Sequence, residues 1–315
     1  MEDRLRPQRL AALIAAAALT LAACAASGTV TSAGTGTPPA ASTAASSALA
    51  MPAQESLVQV PAGTVADTTV PALPTCNGKN VTTVSRGVLT IATGSPAESP
   101  WFVGDDPASG RGLEAAVASA IAGGLGFPSD HVRWTRVDRR EASAGRTTNF
   151  DLDLDQFTAP DPGTTTADYS TGYYSITDSV LVPAGTSKPS SVAEIHKLGL
   201  GNAPGAGASS SVSDVPRRGF VSDEAAVAAM MSHSIQGVVM PTPAALAAAA
   251  HNPDLVVAGQ LPSDPNAQPD QFKALLPKGS ALTGCVSATI DRLRAEGTLD
   301  TLAATWVSPM APPLH

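Results

Sequence analysis

Three carboxylates alternate in one short stretch, Asp151, Asp153 and Asp155, with Gln156 and Thr158 close behind them. On a strand this alternation turns all three acids to one face, where oxygen ligands could hold a hard cation. The reading preferred here puts Asp155, Gln156 and Thr158 at the strand's open end, ready to hydrogen-bond a polar molecule, and gives Asp151 a structural role. Two aromatic pairs, Trp101 with Phe102 and Tyr173 with Tyr174, could wall such a molecule with flat apolar faces and polar tips. The same rings read equally as core packing, and of the four, Trp101 and Phe102 are the favoured contacts. The histidines His131, His196, His233, His251 and His315 lie in polar loops, at helix ends or at the terminus, and none pairs by motif with a nucleophile. There is no GxSxG, no P-loop, no HExxH and no CxxC, so neither a catalytic apparatus nor a metal site or other cofactor is expected.

These residues need elements to carry them. Val88 to Ala92 is a short apolar run with β-branched residues, bounded by Gly87 and Gly94, and it feeds a Ser/Pro loop that holds Trp101 and Phe102. Leu113, Val117, Ala120, Ile121 and Leu125 then recur at helical spacing. Further strands are expected at 179–182, 198–201, 237–240, 255–258 and 274–276, with helices at 223–231 and 243–250. The C-terminus predicts two helices, one with Leu282, Val286, Ile290 and Leu293 on a single face, then a Gly297 stop with Thr298 as cap, and a second with Leu299, Leu302 and Trp306. Strands alternating with helices predict an α/β fold with parallel sheets.

The chain begins with Arg4, Arg6 and Arg9, an apolar run from Leu10 to Ala23, and Cys24. That run is shorter than the about 20 residues a membrane-crossing helix needs, and it has the anatomy of a secretory signal. The ending Leu21-Ala22-Ala23-Cys24 resembles a bacterial lipobox, which implies that Cys24 is acylated and becomes the mature N-terminus. Residues 25–72 are rich in Ala, Ser, Thr, Gly and Pro and cannot bury enough apolar surface to order themselves. They predict a tether, leaving about 240 residues for the folded part. Removing residues 1–23 moves the formal charge from −8 to −9, which argues against nucleic acid or anionic lipid as a partner. Cys76 and Cys285 remain as an even pair in an oxidising compartment, so a disulfide is expected.

Four segments together, 87–127, 150–158, 167–174 and 276–307, resemble family 3 extracellular solute-binding proteins, the polar amino acid class in its actinobacterial form. The resemblance implies a two-lobed, periplasmic-binding-protein-like clamshell of type II, with two crossing strands between the lobes. Lobe 1 would comprise residues 76–182 and 270–315, lobe 2 residues 183–269, and both cysteines would fall in lobe 1. It further implies a monomeric lipoprotein on the outer face of the cell membrane that delivers a small polar ligand to an ABC transporter permease, and no enzymatic activity. The aromatic loop, Tyr173, Tyr174 and Thr242 would then line the cleft, and Ser209 and Ser210 would open a helix whose amides receive an anion, unless that run is a plain solvent loop. Two of the family's ligand groups are missing. Its carboxylate-binding Arg falls at Gly163, in a turn that reads Pro160-Asp161-Pro162-Gly163, and its ammonium-binding Asp falls at Pro241. The loss of both fits a ligand that is not an α-amino acid. It fits as well a clamshell turned into a sensor or partner-binding protein.

Overall fold

The structure is a computed structural model that describes residues 76–159, 166–206 and 216–315. Strand β1 (Leu89–Thr93) is buried along its whole length, as the apolar run predicts. Helix α1 (Leu113–Gly124) follows the aromatic loop and lays small residues, Ala115 and Ala118, beside Val117 and Ile121. Then come β2 (Val132–Arg136), α2 (Arg139–Ser143), β3 (Leu152–Phe157) and β4 (Ala167–Ser175). The chain next runs through β5 (Asp178–Pro183), α3 (Val192–Ile195), β6 (Leu200–Asn202), β7 (Arg217–Gly219), α4 (Asp223–Met231), β8 (Gly237–Pro241), α5 (Thr242–His251) and β9 (Leu255–Gln260). It returns as β10 (Gln271–Pro277), α6 (Thr283–Ala295) and α7 (Thr298–Trp306). Short polar side chains start several helices by accepting orphan amides: Asp138 for α2, Ser191 for α3 and Ser222 for α4.

The strands form two five-stranded sheets, ordered β2-β1-β3-β10-β4 and β7-β6-β8-β5-β9. Each is mixed rather than parallel, which corrects the sequence expectation. β1 runs parallel to β2 and β3, whereas β10 is antiparallel to β3 and β4; β6 runs parallel to β7 and β8, whereas β5 is antiparallel to β8 and β9. The cause is the crossing itself, because a strand that enters from the other lobe needs no βαβ connection and can insert in the opposite sense. Leu89, Ile91, Leu152 and Leu154 pack with Val117, Ile121, Val286 and Ile290 in the first lobe. In the second lobe one sheet face carries Val180, Val182, Leu200 and Val239 against Ile195.

Sheet membership moves two expected boundaries. Strand β5 belongs to the second sheet, so the chain leaves the first lobe at Ile176–Thr177 and not after residue 182. The return passage, 261–270, lies beside it, with the Ile176 amide donating to the Asp270 carbonyl at 2.8 Å. The last five residues do not stay with the first lobe. The Gln260 amide donates to the Pro312 carbonyl and the Leu314 amide to the Gln260 carbonyl, both at 2.8 Å, and Leu314 is buried beside Val182 and Ala258. The tail is thus a third strand of chain between the lobes. Gly259 makes room for it, since a Cβ there would collide with the Pro312 carbonyl.

Cys76 and Cys285 form the expected disulfide, with Cα atoms 5.5 Å apart and 209 residues between them. Among the described residues no helix is long and apolar enough to cross a membrane. Residues 1–75, including Cys24, lie outside the described residues, as do Gly163, Ser209 and Ser210.

Candidate functional site

The loop between β1 and α1 is held in place by charge and by backbone. Arg136 donates to the Gly94 carbonyl at 2.5 Å and to the Asp105 carbonyl at 2.7 Å, and pairs with the Asp105 carboxylate at 2.7 Å. Asp105 accepts from the Ala97 amide at 2.8 Å; that amide, followed by Arg136, holds its carboxyl below the usual range. At the other end the Leu113 and Glu114 amides donate to the Pro100 and Trp101 carbonyls. Gly112, at φ 111°, brings α1 this close, since a Cβ there would strike the Trp101 carbonyl.

This loop, the end of β3 and helix α5 enclose a cavity of about 100 Å³ between the lobes. The first lobe contributes Pro96 through Ser99, Trp101, Phe102, Asp155 and Gln156, and the second contributes Ala247. Glu98 reaches across to His251 Nε2 at 3.4 Å. Trp101 stands edge-on to Tyr174 and Phe272, at 5.6 and 5.3 Å between ring centroids, and Phe102 edge-on to Trp134 at 5.8 Å. Both residues border the cavity, but their rings are spent on the core, at 4% and 1% exposure.

Beneath the cavity lies a group the sequence reading passed over. Glu114 is fully buried and accepts from the Tyr173 hydroxyl and, at 2.7 Å, from the Gln156 amide. Burial pushes its carboxyl up to about 7, against the pull of those two donors. Gln156 sits at φ 54°, so the grip on its amide holds β3 in a turn that a regular strand would not make. Sequence reasoning missed Glu114 because an acid in a helix's first turn reads as a complement to the helix dipole. Asp155 is mostly buried and lies against Gly94, where an added Cβ would come within 2.9 Å of its carboxylate. Burial pushes it up to about 6, with Arg139 pulling down and Asp138 pushing up. Asp153 is buried too, and neither of its oxygens has a hydrogen-bond partner among the described residues. Desolvation, then Asp155 and Glu114, raise it well above the carboxylate range.

The expected site residues thus separate. Trp101, Phe102, Asp155 and Gln156 meet at the cavity. Thr158 borders a different hollow, of about 120 Å³, with Asp270, Gln271 and Lys273. Tyr173 points into the core, where burial and then Glu114 raise its hydroxyl well above the tyrosine range. Tyr174 packs among Trp101 and Phe272, with burial raising it to about 12. Thr242 is fully buried and bonded to Thr177 at 2.9 Å and Ser179 at 2.7 Å. Those bonds tie the passage residue Thr177 to Ser179 and Thr242 of the second lobe, so Tyr173 and Thr242 are held away from the cavity by partners that only folding supplies. Asp151 accepts from the Val84 and Thr90 amides, each at 2.7 Å, which is a structural task. Among the described residues no group of three or more His, Cys, Asp or Glu side chains could hold a metal ion.

The model of a family described as bacterial extracellular solute-binding proteins, family 3, matches residues 89–309. A comparison with curated proteins gives no match. Among solved structures, a mutant of ArgBP from T. maritima is 19% identical, covering 71% of this chain and 96% of that one with a TM-score of 0.41. The solute receptor for L-cysteine of Neisseria gonorrhoeae is 19% identical, with coverages of 73% and 95% and a TM-score of 0.43. The second substrate binding domain of a putative amino acid ABC transporter from Streptococcus pneumoniae is 16% identical, with coverages of 70% and 99% and a TM-score of 0.47.

Proposed function

Because the chain belongs to the bacterial extracellular solute-binding proteins of family 3, we propose that it is a lipid-anchored receptor that captures a small polar solute between its lobes and presents it to an ABC importer. Membership in that family makes it a binding protein and not an enzyme. The observation that carries the rest is the cavity between the lobes, whose lining combines apolar residues with the polar groups of Asp155 and Gln156. A solute there touches the loop and the β3 end on one side and α5 on the other, so its binding favours the closed arrangement of the two lobes. The passages at 176–177 and 261–270 are the short segments about which such closure turns.

The anchor follows from Cys24 and the tether after it, which also lets the folded part reach a permease from the outer face of the membrane. An α-amino acid is not the expected cargo. It would bring a carboxylate and an ammonium into a partly dry space where each needs a paired partner, and Pro241 stands where the family resemblance expects an acid. Calorimetry with glutamate, glutamine, aspartate and arginine tests this directly: binding weaker than about 100 μM is expected, and micromolar binding would refute it. Thermal shift across amines, sugars, peptides and amino acids tests solute capture as such. For the anchor, Cys24→Ser should release the protein from membranes, and an unmodified Cys24 thiol in native protein would refute lipidation.

A further inference from the structure

The cavity is acidic in a way that an empty polar pocket would not need to be. Two carboxylates line it, Asp155 and Glu98, and no lining residue is a Lys, Arg or His. Glu98 is half exposed and turned toward His251. Asp155 is different: it makes no hydrogen bond or ion pair among the described residues, lies in the space that Gly94 leaves open, and is partly buried. The guanidinium whose charge is felt at Asp155, that of Arg139, is already used, donating to the Gln156 carbonyl at 2.8 Å and stacking over the Phe157 ring at 5.0 Å. A carboxylate held there without a donor gives up hydration and receives little in return.

We infer that the cavity selects a small amine that carries no carboxylate, with Asp155 as its countercharge and Pro96, Ala97, Trp101 and Ala247 as its apolar lining. The inference rests on the reading of the chain as a solute receptor. An ammonium entering the cavity would supply the donor that Asp155 lacks, while Pro96, Ala97 and Ala247 offer its alkyl stem apolar contact. An anion would meet two acids and no Lys, Arg or His in the lining, and a neutral alcohol would bring no charge to balance that of Asp155. Glu114 sharpens the selection as a positioning residue, because its grip on the Gln156 amide fixes the strand end that carries Asp155.

The test uses the full chain in detergent and compares cadaverine and choline with 1,5-pentanediol, glutarate and lysine, by thermal shift and calorimetry. Cadaverine or choline should bind at least roughly tenfold more tightly than the diol, the diacid or lysine, and Asp155→Asn should weaken amine binding by roughly tenfold or more. Glu98→Gln, on a more exposed group, provides a second variant and should weaken amines by a smaller factor. Circular dichroism confirms that each variant folds. If the diol or glutarate binds as tightly as the amines, or if Asp155→Asn leaves amine affinity unchanged, the inference falls while solute capture stands. If no solute of any charge binds, solute capture itself falls, and the amine preference with it.

Discussion

Glu114 and the two acids near it decide how the fold responds to pH. A carboxyl whose folded pKa lies above its unfolded value holds a proton in the native state that the unfolded chain has already released. Its contribution to stability is therefore greatest at low pH and is lost as pH rises toward the folded pKa. For Glu114 the window runs from 4.5 to about 7, and for Asp155 from 3.8 to about 6, with Asp153 acting in the same direction. Glu114→Gln keeps an oxygen for the Tyr173 hydroxyl and the Gln156 amide and removes the charge. Urea unfolding should show this variant more stable than the native chain at pH 8, by as much as about 3 kcal/mol, and little changed at pH 4.5. A shallower loss with pH should persist, from Asp153 and Asp155. Asp151 behaves oppositely as a target: Asp151→Ala strips the Val84 and Thr90 amides of their acceptor and should cost about 1–3 kcal/mol at neutral pH.

At the scale of elements, the C-terminal tail and strand β9 form a unit with the hinge. Thr177 donates to Gln260 at 2.7 Å, and the Gln260 side-chain amide donates to the Ala311 carbonyl at 2.6 Å. The His315 carbonyl accepts from the Val192 amide at 3.1 Å. One polar chain therefore joins the first passage, the end of β9 and the tail. Deleting residues 311–315 removes these bonds and exposes the surface under Leu314, so thermal unfolding should report a loss of about 2–4 kcal/mol. Hydrogen exchange should rise in β9 and at Val192 in particular. Gly259→Ala tests the same contact with the tail intact, because its Cβ collides with the Pro312 carbonyl; tail release in that variant, seen as faster exchange at Leu314, is the expected outcome. None of this was legible in Ala311 to His315, a short run that pairs with no local partner and whose docking surface is more than fifty residues away in sequence.

For the whole molecule the widest tie is the disulfide from Cys76 to Cys285 across 209 residues. In the chain-entropy account such a loop limits the unfolded ensemble, and Cys76→Ala with Cys285→Ala should lower stability by up to about 4–5 kcal/mol, read by unfolding under non-reducing conditions. The cysteine count made this pair readable in advance, because with Cys24 assigned to the lipobox no other partner remained. Local runs were readable too: the helix expected at 223–231 and the strand expected at 237–240 are found at Asp223–Met231 and Gly237–Pro241. Trp101, Phe102, Asp155 and Gln156 meet because a loop after one strand and the end of its parallel neighbour emerge at the same edge of a sheet. What the sequence by itself determined are features decided within a few residues or by residue count: the α/β alternation, the places though not the bounds of its apolar strands, and the cysteine pair. Only the tertiary structure decided that both sheets are mixed, that Tyr173 serves Glu114 and Thr242 serves the hinge, and that the tail returns to the second lobe. Those outcomes depend on which distant groups compete for a donor or a buried face, and that competition is settled by packing between segments far apart in the chain.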